Sequence, residues 1–330
     1  MALNKNLIYV SLIGLFFIGE SVGCSLYERT ASGQNVLEEM RILPSLNECG
    51  HVGAFDRILG GKETAMQEFP WTALLIYVDE TDPDNYRMGC GGSLINRYYV
   101  LTAAHCGTST LSLVRLGEWN ISSEIDIAEL NKNIKAIAAP PIKDIKICRQ
   151  IIHPKYNESG VYDNDIALLE LERKVDYTPY ISPICLPIND EQRMNRYNDV
   201  SAYITGWGQR ETNIYSEVKL KARVKIITND KCESEYLSKS KINISEKLMC
   251  AIGNEMDTGK GDSGGSLIVM NTVNGKINAY LAGITSGGLQ KRINEKDASE
   301  NYNRIAAMGI YVHVGSYMKW IIENLGSFEK

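Results

Sequence analysis

The sequence predicts an all-β fold, either a sandwich or a pair of barrels, on two observations. Short runs rich in β-branched and aromatic residues recur between turn signals: "WTALLIYV", "GSLINRYYVLTAAH", "DIALLEL", "AYITGWG", "KLKARVKIIT", "GGSLIVM", "YLAGITS" and "GIYVHV". Helical spacing is confined to the last segment, "GSYMKWIIENLG", which reads as a C-terminal helix. The eight cysteines include no C-x-x-C pair and only four histidines accompany them, a pattern of disulfides rather than metal sites. Many strands with few helices favour sheet-on-sheet or barrel packing.

The elements follow in order. Lys5 precedes the apolar run Leu7 to Gly19, then Glu20 and the small residues Ser21, Gly23 and Cys24. A charged start, a short apolar core and small residues before a cut describe a secretory signal over 1–23. The run falls short of the roughly 20 residues that span a bilayer, so no membrane association is expected. Residues 24–57 are polar and aperiodic, a propeptide or linker, and the β-rich texture from 58 to 330 is the main domain. Asn274-Gly275 between two strand runs reads as a hairpin turn. The polar stretches 118–148 and 289–308 read as surface insertions. Lys219, Lys221, Arg223 and Lys225 alternate like the wet face of a strand.

With 330 residues, 44% of them hydrophobic, the chain can bury a large core. Its net charge of −5 gives no reason to expect a nucleic-acid partner. Asn-x-Ser sequons at Asn120, Asn157 and Asn243 fit an extracellular chain as glycosylation candidates.

Three polar residues sit in runs that are otherwise fit for burial: His105 in "YVLTAAHC", Asp165 in "DNDIALLEL" and Ser263 in "GDSGG". Singly, they read as a structural histidine, a turn cap and a loop. Together they supply a base, an orienting carboxylate and a nucleophile. With "RILGG", "FPWTALL", "PICLP", "TGWG" and "GIYVHV" in the same order, the chain resembles the trypsin/chymotrypsin-fold serine proteases from Arg57 to about Leu325. "VRLGEW", "PICLP" and the lysine-rich strand are most similar to the catalytic domains of arthropod clip-domain proteases, although the clip cysteines are absent.

The resemblance implies two six-stranded antiparallel β-barrels and a secreted zymogen cut at Arg57–Ile58. The new Ile58 terminus would insert beside Asp262. It implies His105, Asp165 and Ser263 as the catalytic triad, and the N–H groups of Gly261 and Ser263 as the oxyanion hole. Asp257 would hold an Arg or Lys side chain in a pocket bounded by Ser286, Gly288 and Gly309, since a buried carboxylate left unpaired is costly. It pairs Cys49 with Cys185, Cys90 with Cys106 and Cys232 with Cys250, leaving Cys148 and Cys24 to be free, joined to each other or used between molecules. The implied partners are protein substrates, an upstream activating protease and serpin-type inhibitors. No cofactor is required, with calcium at the Glu118 loop as a weaker expectation.

The chain departs from the family at the pocket. A family cysteine is replaced by Gly259, and its partner position falls in Leu289-Gln290-Lys291. The usual Ser-Trp-Gly strand reads Ser286-Gly287-Gly288, Ser266 stands where a proline is common, and Lys260 adds a charge. None of these removes a catalytic atom, so a loosened pocket with reduced or narrowed activity is expected. A protease-like cofactor protein of an extracellular cascade is the competing class.

Overall fold

The computed structural model describes residues 43–52, 62–79, 81–128, 137–158, 161–208, 215–238, 240, 242–253, 262–273, 275–293 and 304–326. Within them the expected strand runs form two antiparallel barrels.

The first barrel closes in the order β2 (Thr72–Asp79), β3 (Asp82–Leu94), β4 (Tyr99–Thr102), β9 (Ala167–Leu171), β8 (Lys143–Ile152) and β5 (Leu111–Leu116). The second runs β11 (Leu220–Ile227), β10 (Ser201–Gly206), β13 (Ser266–Val273), β14 (Lys276–Ile293), β15 (Arg304–His313) and β12 (Leu248–Gly253). It closes through β11–β12 pairing, with β1 (Lys62–Glu63) appended to β11. The short β6 (Ile127–Ala128) and β7 (Ile137–Ala138) pair with each other inside the first polar stretch. Closure leaves few edges for another chain to pair with.

The alternation of the sequence dictates what fills each barrel. Leu75, Leu94, Tyr99, Leu101, Val114 and Ile166 are fully buried in the first. Ala202, Val224, Ile226, Leu267 and Tyr311 pack the second. The C-terminal helix Val314–Asn324 buries Tyr317, Met318 and Ile321. Gly275 has φ +76°, and Val273 faces Lys276 across the hairpin end, as the Asn-Gly signal predicts; Asn274 itself lies outside the described residues.

Two expectations change. The second polar stretch is largely strand: β14 and β15 stay in register from Gly288↔Gly309 to Ile293↔Arg304, so the hairpin projects beyond the barrel. Gln290, Lys291 and Arg292 are consecutive polar residues, and that hid the strand period. The basic alternation holds for Arg223 and Lys225, which are exposed. Lys219, however, is buried near the Trp207 ring, its Nζ 6.0 Å from the ring centroid. Burial pushes its ammonium down to about 8, partly offset by Glu68, Glu118 and Asp126.

The disulfides Cys49–Cys185, Cys90–Cys106 and Cys232–Cys250 are all formed. Cys148 is also disulfide-bonded, to a partner outside the described residues. The segment 43–52 is docked rather than loose. Asn278 Nδ2 donates to the Leu46 and Cys49 carbonyls, Gly50 N donates to Pro183 O, and Ala279 N to Gly50 O. Among the described residues no helix is long and apolar enough to cross a membrane.

Candidate active site

The site is assembled where the two barrels meet. His105 lies in a single turn, Ala104–Cys106, just past the end of β4, and the Cys90–Cys106 disulfide ties that turn back to β3. Closing a loop of this length contributes about 3 kcal/mol on a chain-entropy estimate. The Tyr77 hydroxyl adds a hydrogen bond to Cys106 O at 2.9 Å, and burial pushes that phenol up to about 12. Asp165 precedes β9, the strand paired with β4, so the two loops emerge side by side. The adjoining Asn164 sits at φ 59° and receives a hydrogen bond from the Tyr317 hydroxyl.

Asp165 collects three donors. The His105 backbone N–H donates to Oδ1 at 2.8 Å and His105 Nδ1 to Oδ2 at 2.7 Å; Ser286 Oγ also donates to Oδ2. The Asp165 side chain is 3% exposed and that of His105 31%, so a buried carboxylate orients a ring that reaches solvent. With Nδ1–H committed to Asp165, Nε2 is the nitrogen left to accept a proton.

Ser263 comes from the second barrel, on the turn before β13, and is held against the first. Its carbonyl accepts from Gly91 N at 2.8 Å. The next residue, Gly264, has φ +77°, and a Cβ there would overlap Thr102 Oγ1 and lie 2.5 Å from Gly91 O. Gly264 N donates to Thr285 O, and Gly265 N closes the turn on Asp262 O at 2.9 Å. A left-handed residue with no room for a side chain follows the serine, which is why the sequence needs glycine there. Ser266 places its hydroxyl 2.6 Å from that of Ser93, both buried, and so joins β13 to β3. The serine at the family's proline position is thus a bond between the barrels.

The expected pocket residues are partly in view. Ser286 is bound to Asp165, and Gly288 pairs directly with Gly309 across β14 and β15. Asp257, Gly259, Lys260 and Gly261 lie outside the described residues, as do Arg57 and Ile58. Asp262 Oδ1 accepts from Gly208 N at 3.0 Å, in the "TGWG" segment. The wall expected to be missing at Gly287 is filled from elsewhere. The Tyr162 ring lies across it, with Cε1 2.5 Å and the hydroxyl 2.9 Å from where a Cβ would stand. Sequence reasoning missed Tyr162; only its place three residues before Asp165 hinted at a role.

Elsewhere, Glu118 is turned inward. Its Oε1 accepts from Trp119 N at 2.9 Å and its Oε2 from Arg115 at 3.3 Å, while burial raises its carboxyl above the usual range. Asp126 accepts from Ser123 Oγ and Asn120 N. Both carboxylates are engaged by the chain's own donors, a poor fit to a calcium ion. Among the described residues the only His/Cys/Asp/Glu group close enough to share a metal is Cys90, His105 and Cys106, whose cysteines are spent in a disulfide. Of the sequons, Asn157 and Asn243 are exposed, whereas Asn120 is half-buried and its Oδ1 accepts from Ser122 Oγ.

A buried carboxylate and an oriented imidazole on one barrel, and a serine on a forced turn of the other, lie on loops joined by the Gly91–Ser263 and Ser286–Asp165 hydrogen bonds. The family model described as Trypsin matches residues 58–321. The chain belongs to the trypsin family. It is a serine endopeptidase by that membership, and it is similar to insect clip-domain proteases. Melanization protease 1 of Drosophila melanogaster is 38% identical over 293 residues, covering 86% of this chain and 69% of that protein. CLIP domain-containing serine protease B4 of Anopheles gambiae is 37% identical over 322 residues, covering 94% and 82%. The crystal structure of the Drosophila Grass clip serine protease of the Toll pathway matches with a TM-score of 0.72 and 32% identity, over 87% of this chain and 77% of that one. The trypsin-family fold is therefore the fold in hand, with the extended β14–β15 hairpin as one of its local features.

Proposed function

We propose that this trypsin-family chain is a secreted zymogen that, once cut at Arg57–Ile58, cleaves protein substrates after Arg or Lys in an extracellular cascade. The observation that carries the chemistry is the buried Asp165 bound to both His105 and Ser286, with Ser263 aimed from a turn only glycine can complete. The roles follow the general logic of the Ser-His-Asp triad.

His105 Nε2 takes the proton of Ser263 Oγ as that oxygen bonds to the scissile carbonyl carbon. Backbone N–H groups of Ser263 and Gly261 hold the oxyanion. When the carbon–nitrogen bond breaks, His105 returns the proton to the leaving amine. Water then repeats the sequence on the acyl-serine and releases the acid. Asp165 keeps Nδ1 protonated and stabilises the imidazolium; it is not itself protonated. No step needs a metal.

Substrate choice rests on Asp257 at the pocket floor, between walls contributed by Ser286, Gly288 and Gly309. Activation rests on Asp262 receiving the Ile58 ammonium, a buried ion pair that acts as a switch. Residues 1–23 serve as the secretion signal and 24–57 as the propeptide. An upstream trypsin-like protease cuts after Arg57, and serpin-type inhibitors are suitable partners for the active form. Glycans are expected at the exposed Asn157 and Asn243 before the half-buried Asn120.

The test is to express the zymogen, cleave it after Arg57, confirm the Ile58 terminus, and follow hydrolysis of an amide with Arg before the cut. Ser263→Ala should lose activity by ~10⁴-fold or more, the class magnitude for losing a triad member. Equal, negligible turnover by the two proteins would sink the reading. Equal cleavage after Phe and Arg would instead remove Asp257 from its role.

A further inference from the structure

Asp165 is bound by His105 and Ser286, and the chain leading into it is held as firmly from elsewhere. The preceding residue, Asn164, is buried at φ 59°, a left-handed conformation that persists only where its surroundings enforce it. Its N–H donates to the Tyr317 hydroxyl at 3.1 Å, and that hydroxyl donates to its Oδ1 at 3.2 Å. Lys247 Nζ donates to the same oxygen at 3.3 Å, and Asn164 Nδ2 donates to Lys155 O at 3.0 Å. One residue earlier, Ser245 Oγ donates to Asp163 Oδ1 at 2.6 Å. Tyr317 stands on the C-terminal helix, and Ser245 and Lys247 lie just before β12. Of these bonds only the one to Lys155 comes from the first barrel. The acid of that barrel is therefore located by the helix and by the barrel that carries Ser263.

We propose that Tyr317 is a positioning residue for the proton transfer of the protease reading above: through Asn164, its hydroxyl fixes the Asp165 carboxylate against His105. The backbone angles of Asn164 set the direction in which Asp165 leaves the chain. If Asn164 relaxes out of the left-handed region, the carboxylate swings. Both bonds to His105 then change together, because its N–H and its Nδ1 bind the two oxygens of one carboxylate. Tyr317 is buried, with its ring edge-on to His153 at 5.4 Å between centroids, so Tyr317→Phe keeps the packing. Burial holds its phenol above the usual range, and the substitution thus removes an oxygen but no charge. Burial, with the ammoniums of Lys247 and Lys155, holds His153 below its usual range. The charges of Asp163, Lys155 and Lys247 stay in place. A change in the proton affinity of the catalytic base then reports a moved carboxylate, since a less stabilised imidazolium gives up its proton at lower pH.

The experiment compares the activated parent with Tyr317→Phe, Asn164→Ala and Tyr99→Phe. It reads the pH profiles of kcat and kcat/KM on an Arg amide, with urea denaturation alongside. The Tyr99 hydroxyl is also buried but accepts from Gly326 N at 3.0 Å, so its removal measures the loss of a tyrosine oxygen alone. Tyr317→Phe should lower kcat by about tenfold and leave KM within about twofold. It should also move the acidic limb of kcat/KM down by about half a pH unit. Asn164→Ala cuts the same connection at its next link and should repeat that pattern; it decides the question if Tyr317→Phe does not fold. Tyr99→Phe should leave kcat and the limb unchanged. A destabilised Tyr317→Phe with the parent's kcat and acidic limb would overturn the inference, as would an equal shift in Tyr99→Phe. No turnover by the parent at any pH would overturn the protease reading, and the positioning role with it.

Discussion

Around Ser263, His105 and Asp165 the chain is held by a disulfide, three hydrogen bonds to one buried carboxylate, and a turn with no space for a Cβ. Along the neighbouring wall, past the Ser286–Asp165 hydrogen bond to Ile293, the same chain is held by a backbone ladder to β15, by Leu289 packed against the core and by a tyrosine lying on a glycine. No cysteine stands at 288–293 or 304–309 to reinforce that ladder. In the proposed mechanism the first region fixes atoms for which a misplacement of about 1 Å is costly, and covalent and polar restraints suit that need. The second shapes a cleft, where packing suffices and the shape can be altered by exchanging one side chain.

The largest way to break this contrast is Gly264→Ala. The new methyl meets Thr102 Oγ1 and Gly91 O, so the Ser263 turn must shift. We expect kcat to fall by about 10²-fold or more, because a displacement on the order of 1 Å is enough for that, while a small arginine-like inhibitor binds as before. Weakened inhibitor binding with kcat intact would show that the turn shapes the pocket rather than the nucleophile. Next comes Cys90→Ala with Cys106→Ala, which should cost about 3 kcal/mol in urea denaturation and lower kcat ahead of KM. If KM rises first, the disulfide serves the cleft and the contrast is wrong. The smallest effect is expected on the wall itself. Leu289 and Met308 are directly paired, so replacing residues 290–307 by Asn-Gly should close the hairpin there. Turnover of short Arg amides should stay within about twofold, with a modest rise in KM for protein substrates, if the ladder only shapes the cleft.

The same contrast explains what could be read from the sequence. His105, Asp165 and Ser263 each lie in a short apolar run whose period and neighbours reveal the polar exception, so their joint meaning is local and legible. The barrels follow from runs such as "WTALLIYV" that bury alternate residues. Tyr162 escaped because its partner, Gly287, sits 125 positions further along the chain, and neither residue is unusual alone. Ser266 looked like a loosened proline site because Ser93, which completes its hydrogen bond, is on another barrel. In the outer part of β14, Gln290, Lys291 and Arg292 follow one another as polar residues, which erases the alternation that marks a half-buried strand. Lys219 reads as exposed from its alternation with Lys221 and Arg223, yet it precedes β11 and turns inward beside Trp207.

The docking of residues 43–52 onto Pro183, Cys185, Asn278 and Ala279 also bears on how a cut at Arg57 would be observed. The cut would change the number of chains but not the diffusing particle, because the Cys49–Cys185 bond and its surrounding hydrogen bonds hold both pieces. Sedimentation and gel filtration would record one species before and after, and so would electrophoresis without a reductant. The switch would be silent in every measurement of size and visible only in measurements of connectivity.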